Sequence, residues 1–284
     1  MNAEGYVLES FSNMGEAYTC RRLVEEARAF GLELSVLGVS DTQLQRDGTI
    51  VSRGGVVRPR DFVVNRYKWG HVKNAVNAIC RRGFNDIVLF NRYVDKFSQM
   101  QRLRLTAATM PAFVLSNGGA DYHGIRERLS TPFVAKGLES SMGREVFLIH
   151  DEHDFKELST RFGMNKEWLF EEAVMTSLGR DLRLFVIRGS VVAAMQRAAC
   201  GDFRANVALG ANCRQVEISQ GMRDVAREVH QQTGLTYFGL DLLYGSGNEF
   251  VFCEVNVMPG IRGIEEACDV NVAKRIIETI AEEL

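Results

Sequence analysis

Gly239-Leu240-Asp241-Leu242-Leu243, the turn Gly245-Ser246-Gly247 and Phe252-Cys253-Glu254-Val255-Asn256-Val257 read as two neighbouring apolar strands that carry acid and amide groups in a buried setting. Side chains two apart on a strand share a face, so Glu254 and Asn256 point the same way and Cys253 is expected to point into the core. With Asp241 on the adjoining strand, three oxygen ligands converge. Two carboxylates and an amide suit magnesium, which takes few protein ligands and fills its shell with water and phosphate oxygens. Buried acids without such a partner would be costly.

Working outward, strands are predicted at Trp168–Val174, Arg183–Ile187, Val191–Gln196, Tyr237–Leu243 and Phe250–Val255, giving an antiparallel sheet. Helices near Met222–Thr233 and Val270–Leu284 are expected to cover one face of it. Upstream, Thr131–Lys136 and Val146–Ile149 form a hairpin around the small-residue loop Gly137–Gly143, which suits closure over a ligand. A helical pattern over Lys96–Ala108 and a short strand at Ala112–Leu115 precede it, and a helix near Asp154–Phe162 follows. The opening alternates strand and helix: Tyr6–Leu8, about Glu16–Phe30, Leu34–Leu37, Asp61–Asn65, a helix near Val72–Arg81 and a strand at Asp86–Phe90. That order implies a parallel sheet with helices on its faces. The chain is thus mixed, α/β followed by α+β, with expected domains at 1–92, 93–167 and 168–284.

The 284 residues are 46% hydrophobic and 25% charged with a formal net charge of −2. That suffices for a large core in two or three modest domains and gives no bulk positive field for nucleic acid. Cys20, Cys80, Cys200, Cys213, Cys253 and Cys268 show neither metal-site nor disulfide-framework spacing and are expected to be reduced core thiols. No apolar stretch approaches the ~18 residues of a membrane helix, and no signal peptide opens the chain, so a cytoplasmic protein without a membrane partner is expected. His150-Asp151-Glu152-His153-Asp154 resembles a metal cluster, but its place between a strand and a helix marks it as a helix cap.

Lys136 at a strand end, Arg197 in Met195-Gln196-Arg197 and Arg204 in Gly201-Asp202-Phe203-Arg204 are the cations suited to clamping phosphate oxygens. Together with Gly179-Arg180-Asp181-Leu182-Arg183, Gly239-Leu240-Asp241 and Glu254-Val255-Asn256-Val257-Met258-Pro259-Gly260, these runs resemble the RimK-like ATP-grasp α-L-glutamate ligases. The likeness is specific across about 171–284 and rests on general layout before Lys136.

The resemblance implies an ATP-grasp fold: an N-terminal α/β domain, a central lid and a catalytic antiparallel sheet. It implies an ATP-dependent carboxylate–amine ligase working through an acyl phosphate, with small-molecule or peptide substrates and a homodimer or homotetramer. Asp241, Glu254 and Asn256 would hold two magnesium ions, manganese being possible in their place. Lys96 and Lys136 would meet ATP phosphates beneath the Gly137–Gly143 flap. Glu171, Glu172, Ala173 and Val174 would form the adenine hinge, with Asp181 near the ribose. Arg197 would stabilise the γ-phosphate and acyl phosphate, and Arg204 and Asn206 would complete the pocket. After Asn206 the chain runs Val207-Ala208-Leu209-Gly210 where the family usually has His-Arg. A specialised ligase using a non-glutamate acid, or an ATP-binding regulator without turnover, are the alternatives.

Overall fold

A computed structural model describes residues 3–11, 17–138, 143–205, 210–247 and 249–284. Strand β1 (Glu4–Glu9), helix α1 (Tyr18–Ala29) and strand β2 (Glu33–Gly38) form the expected βαβ start. A small antiparallel sheet of β3 (Gln43–Leu44), β4 (Ile50–Ser52) and β5 (Gly55–Val56) interrupts it. Then come β6 (Phe62–Asn65), α2 (His71–Ile79) and β7 (Arg82–Phe84), which complete a parallel sheet in the order β2-β1-β6-β7.

The strand expected at Asp86–Phe90 is instead helix α3 (Ile87–Tyr93). Asp86 caps it, accepting hydrogen bonds from the N–H groups of Val88 and Leu89 at 2.9 and 3.2 Å. A short apolar run fits a buried helix as well as a strand, and here the cap decides while β7 takes the sheet position. Helix α4 (Lys96–Arg102) is shorter than the expected Lys96–Ala108. Beyond it, the N–H groups of Arg104, Thr106 and Ala107 donate to the side chains of Gln232 and Glu228 rather than to preceding carbonyls. Tertiary partners override the helical pattern there.

Next come β8 (Phe113–Asn117), α5 (Tyr122–Arg126), β9 (Phe133–Gly137), β10 (Val146–Ile149), α6 (Glu152–Phe162) and β11 (Glu167–Glu172). The four strands pair antiparallel in the order β10-β9-β11-β8, so the strand expected at Trp168–Val174 belongs to this sheet and not to the last one. Phe133, Ala135, Trp168 and Phe170 on one face form an aromatic core with Tyr122, Phe155 and Leu158. Asp151 caps α6, accepting from Asp154 N–H at 3.0 Å, so the His150–Asp154 run is a cap.

The last sheet holds β12 (Arg180–Ile187), β13 (Ser190–Ala198), β14 (Asn212–Gln215), β15 (Tyr237–Tyr244) and β16 (Phe250–Asn256), antiparallel in the order β14-β13-β12-β15-β16. Helix α7 (Gln220–Thr233) lies between β14 and β15 in the chain, and α8 (Arg262–Cys268) and α9 (Val272–Glu283) close it. Contrary to the expectation from sequence, α7 and α9 do not cover the same face. Met222, Val225, Ala226 and Val229 of α7 pack on Leu182, Leu184, Leu240 and Leu242. Residues of α8 and α9 pack on Phe185, Ala193 and Tyr237 of the opposite face, in one core with Val7, Cys20, Leu23 and Phe62. Ile276, Ile277 and Ile280 are at most 2% exposed, and each such side chain contributes about 1.5–3 kcal/mol by leaving water. That shared core joins the first sheet to the last one, and residues of both, with others from the middle sheet, line one cleft. The cysteines are all free, but Cys200 is exposed rather than in the core.

Candidate active site

Three elements bring charge to this cleft. On the last sheet, Asp181 and Arg183 of β12, Arg197 of β13, Asp241 of β15, and Glu254 and Asn256 of β16 all line one cavity of about 640 Å³. Their apolar neighbours Leu182, Leu184, Leu240 and Val255 turn to the α7 side, as alternation along a strand requires. Asp241 pairs in register with both Arg183 and Glu254.

Four of these groups form a buried chain of alternating charge. Arg183 Nη2 donates to Asp241 Oδ2 at 2.6 Å, and its Nε donates to Oδ1 of the same carboxylate. Arg197 Nη2 reaches Asp241 Oδ2 at 2.9 Å, while Arg197 Nε and Nη2 clasp Asp181 at 2.6 and 2.7 Å. All four side chains are buried, which is tolerable because the set is neutral and its members are mutually hydrogen-bonded. Gly239 makes room for it. A Cβ there would come within 3.1 Å of Arg183 Nη1 and 3.2 Å of Pro259 Cβ.

Burial pushes the Asp241 carboxyl up, but Arg183 and Arg197 together outweigh it and its net shift is downward. Asp181 has one guanidinium beside it, and burial wins: its carboxyl is raised to about 6. The two acids share Arg197, so the proton taken up on acidification belongs chiefly to Asp181.

On the middle sheet, Lys136 of β9 and Glu171 of β11 lie on the face opposite the aromatic core and meet at 2.6 Å. Burial depresses the Lys136 ammonium, but neighbouring groups, Glu171 foremost, together outweigh this and the net shift is upward. Lys96, the first residue of α4, lies 3.9 Å from Glu254. Arg204 donates to Asp202 at 2.7 Å and to the Gly143 carbonyl at 2.7 Å, tying the end of the β9–β10 connection to the last sheet.

Among the described residues, nine basic side chains against six acidic ones line the cavity, in a chain whose formal net charge is −2. Positive charge concentrated in one cleft favours a polyanion; Glu254 and Asn256 offer oxygen donors of the kind a hard divalent cation takes, while both oxygens of Asp241 are held by Arg183 and Arg197.

Residues 94–280 match the model of the RimK-like ATP-grasp domain. The chain belongs to the RimK-like ATP-grasp family. It is 32% identical over 282 residues to a probable alpha-L-glutamate ligase of Thioalkalivibrio sulfidiphilus, covering 95% of this chain and 93% of that protein. A probable alpha-L-glutamate ligase of Shewanella pealeana is 27% identical, and the chain spans 61% of that longer protein. Among solved structures, the ATP-grasp ligase PsnB complexed with a phosphomimetic variant of minimal precursor, Mg and ADP superposes with a TM-score of 0.71 at 17% identity, over 100% of both chains. The RimK-like ATP-grasp chain is therefore an ATP-dependent ligase that joins a carboxylate to an amine, and ATP and magnesium are its family's cofactors.

The cavity gathers Lys96, Lys136, Glu171, Glu172, Val174, Asp181, Arg197, Arg204, Asp241, Glu254 and Asn256 around one space. Ala173 follows the end of β11 and is not among the lining side chains. Asn206 and residues 139–142 of the expected flap lie outside the described residues.

Two residues alter the picture drawn from sequence. Arg183 joins the site through Asp241 on the neighbouring strand, a pairing the sequence does not record. Cys253 lines the cavity instead of facing the core. The register between β15 and β16 slips from Asp241↔Glu254 to Leu242↔Phe252, so Cys253 is the extra residue of a bulge, where alternation fails. Burial raises its thiol to about 12 against the opposing pull of Lys136, which leaves it a poor nucleophile.

Among the described residues, no helix is long and apolar enough to cross a membrane.

Proposed function

We propose that this cavity binds ATP with its phosphates among Lys96, Lys136, Arg197 and Arg204, and that the chain adds an amino acid, glutamate in the first instance, to a peptide or small amine. The observation that carries the reading is the meeting of Asp241, Glu254 and Asn256 with cations from α4, β9, β13 and the segment after β13 in one cleft. Asp241, Glu254 and Asn256 would hold two magnesium ions, or manganese in their place, supplying charge neutralisation to the phosphoryl group in transfer.

The chain's own residues do the rest. Glu171 and Glu172 at the end of β11, with the backbone at Ala173 and Val174 just beyond it, would form the hinge against which adenine lies, with Asp181 toward the ribose. Arg197, locked by Asp181 and Asp241, is pre-set to meet charge on the γ-phosphate without reorganising. Arg204, with Asn206, closes the pocket toward the β9–β10 connection. The acid substrate's carboxylate oxygen attacks the γ-phosphorus, the bond to ADP breaks, and the amine then displaces phosphate from the acyl carbon. The cleft walls position both substrates and exclude the water that would hydrolyse the acyl phosphate. Units bounded near residue 92 and just after β11, a reducing cytoplasmic setting and a homodimer or homotetramer complete the proposal.

An acid labelled with ¹⁸O in its carboxylate tests the chemistry. Transfer of one label per turnover into inorganic phosphate is expected, and label retained entirely in the amide and remaining acid would overturn the acyl-phosphate route. The relatives named for glutamate favour that acid, so glutamate is the first substrate to label.

A further inference from the structure

Strand β16 is the outer edge of its sheet, and an edge strand presents backbone groups that its neighbour cannot satisfy. Partners from earlier in the chain take them. Phe252 N–H donates to the Thr109 carbonyl at 2.9 Å, and Thr109 N–H donates to the Phe250 carbonyl at 2.8 Å. At Val255, the residue between Glu254 and Asn256, a single side chain holds both groups. Val255 N–H donates to Gln99 Oε1 at 2.7 Å, and Gln99 Nε2 donates to the Val255 carbonyl at 2.8 Å. The same Nε2 donates to the Tyr93 carbonyl at 2.6 Å. Gln99 is 2% exposed and stands three residues after Lys96 on α4. A second amide continues the pattern, Asn85 Nδ2 donating to the Val257 carbonyl at 3.2 Å.

We propose that Gln99 is a positioning residue for the divalent cation: by clamping the backbone of Val255 it aims Glu254 and Asn256 into the cleft and fixes their distance from Lys96. The proposal rests on the reading of Glu254 and Asn256 as metal-holding residues. Alternation makes the clamp effective, because fixing the backbone at Val255 fixes the pleat on both sides and so the direction of both ligands. The β15–β16 bulge adjoins this point. A strand that has slipped register there depends more on its outer partner to hold the pleat. Magnesium and manganese demand well-placed oxygens, and removing a group that orients a metal's ligands typically costs about 10–100-fold in affinity or activity.

The test is equilibrium binding of Mn²⁺ in the presence of ADP, read from the electron paramagnetic resonance signal of free Mn²⁺, on the full chain and on Gln99→Met, Gln99→Glu and Glu254→Gln. Methionine keeps the length and apolar packing of Gln99 without its amide. Glutamate keeps an acceptor for Val255 N–H but sets an oxygen against the Val255 carbonyl. Gln99→Met is expected to weaken Mn²⁺ about tenfold or more, with Gln99→Glu at least as weak. Amide hydrogen exchange across 250–257 should quicken in both. Either variant alone, once circular dichroism shows it to be folded, is enough to decide between the outcomes. Binding within about twofold of the native chain, while Glu254→Gln loses Mn²⁺, overturns the positioning role and leaves Gln99 a packing residue. If Glu254→Gln also binds Mn²⁺ normally, the metal reading itself has failed.

Discussion

Lys136→Met separates the two jobs of the Lys136–Glu171 pair. The ammonium and carboxylate meet at 2.6 Å, with side chains only 11% and 6% exposed. Removing the cation strands a carboxylate in the cleft wall, and breaking a buried pair from one side costs about 3–5 kcal/mol. At roughly 2–4 °C per kcal/mol for a chain of this size, the melting temperature should fall by about 10 °C. Replacing both partners, Lys136→Met with Glu171→Met, removes the stranded charge and should return the melting temperature to within a few degrees of the native value, since an apolar pair of similar volume is often neutral. Turnover should not return. Both variants lose a phosphate donor, a loss on the order of 10²–10³ in rate. Differential scanning fluorimetry and ADP release measured on the three proteins decide the matter. A single variant that melts like the native chain, or a double variant that recovers turnover, refutes the account of this pair.

Gly239→Ala puts a methyl group within 3.1 Å of Arg183 Nη1 and should cost about 1–3 kcal/mol of stability. Its effect on ADP release should exceed that of an alanine at Gly54, which is exposed and outside the cavity, because it tilts the guanidinium that holds Asp241. The Asp181 carboxyl, raised to about 6 chiefly by burial, takes up a proton as pH falls through that value, which removes a negative charge from the cleft. ATP binding should therefore tighten between pH 7 and 5 in the native chain by more than in Asp181→Asn, measured by fluorescence titration, and identical pH profiles would contradict the assignment. In folding, the sign for this group is that its charged form is disfavoured, so its destabilising contribution is full above about pH 6 and fades toward the ordinary value of about 3.9.

What the sequence revealed follows how local its signals were. Asp241, Glu254 and Asn256 could be placed together because strand alternation and apolar flanks act over a few residues. Arg197 and Lys136 stood out for similar reasons. Cys253 was misplaced because a bulge depends on pairing between two strands. Arg183 drew no role because its meaning comes from Asp241, across the neighbouring strand. Gln99 gave no signal at all: a buried amide on a helix becomes a clamp only when the edge of β16 is brought against it. The Asp86–Phe90 run and the end of α4 were decided by a cap and by the side chains of Glu228 and Gln232, none of which periodicity records.

The most direct test of the central claim is ADP and phosphate release from magnesium-ATP with glutamate, other acids and peptides offered in pairs with amines, the products weighed by mass spectrometry. ADP should form one for one with a new amide, and both should disappear in Arg197→Met. ATP binding without ADP release for any pair, or release of AMP and pyrophosphate, would contradict ligation through an acyl phosphate.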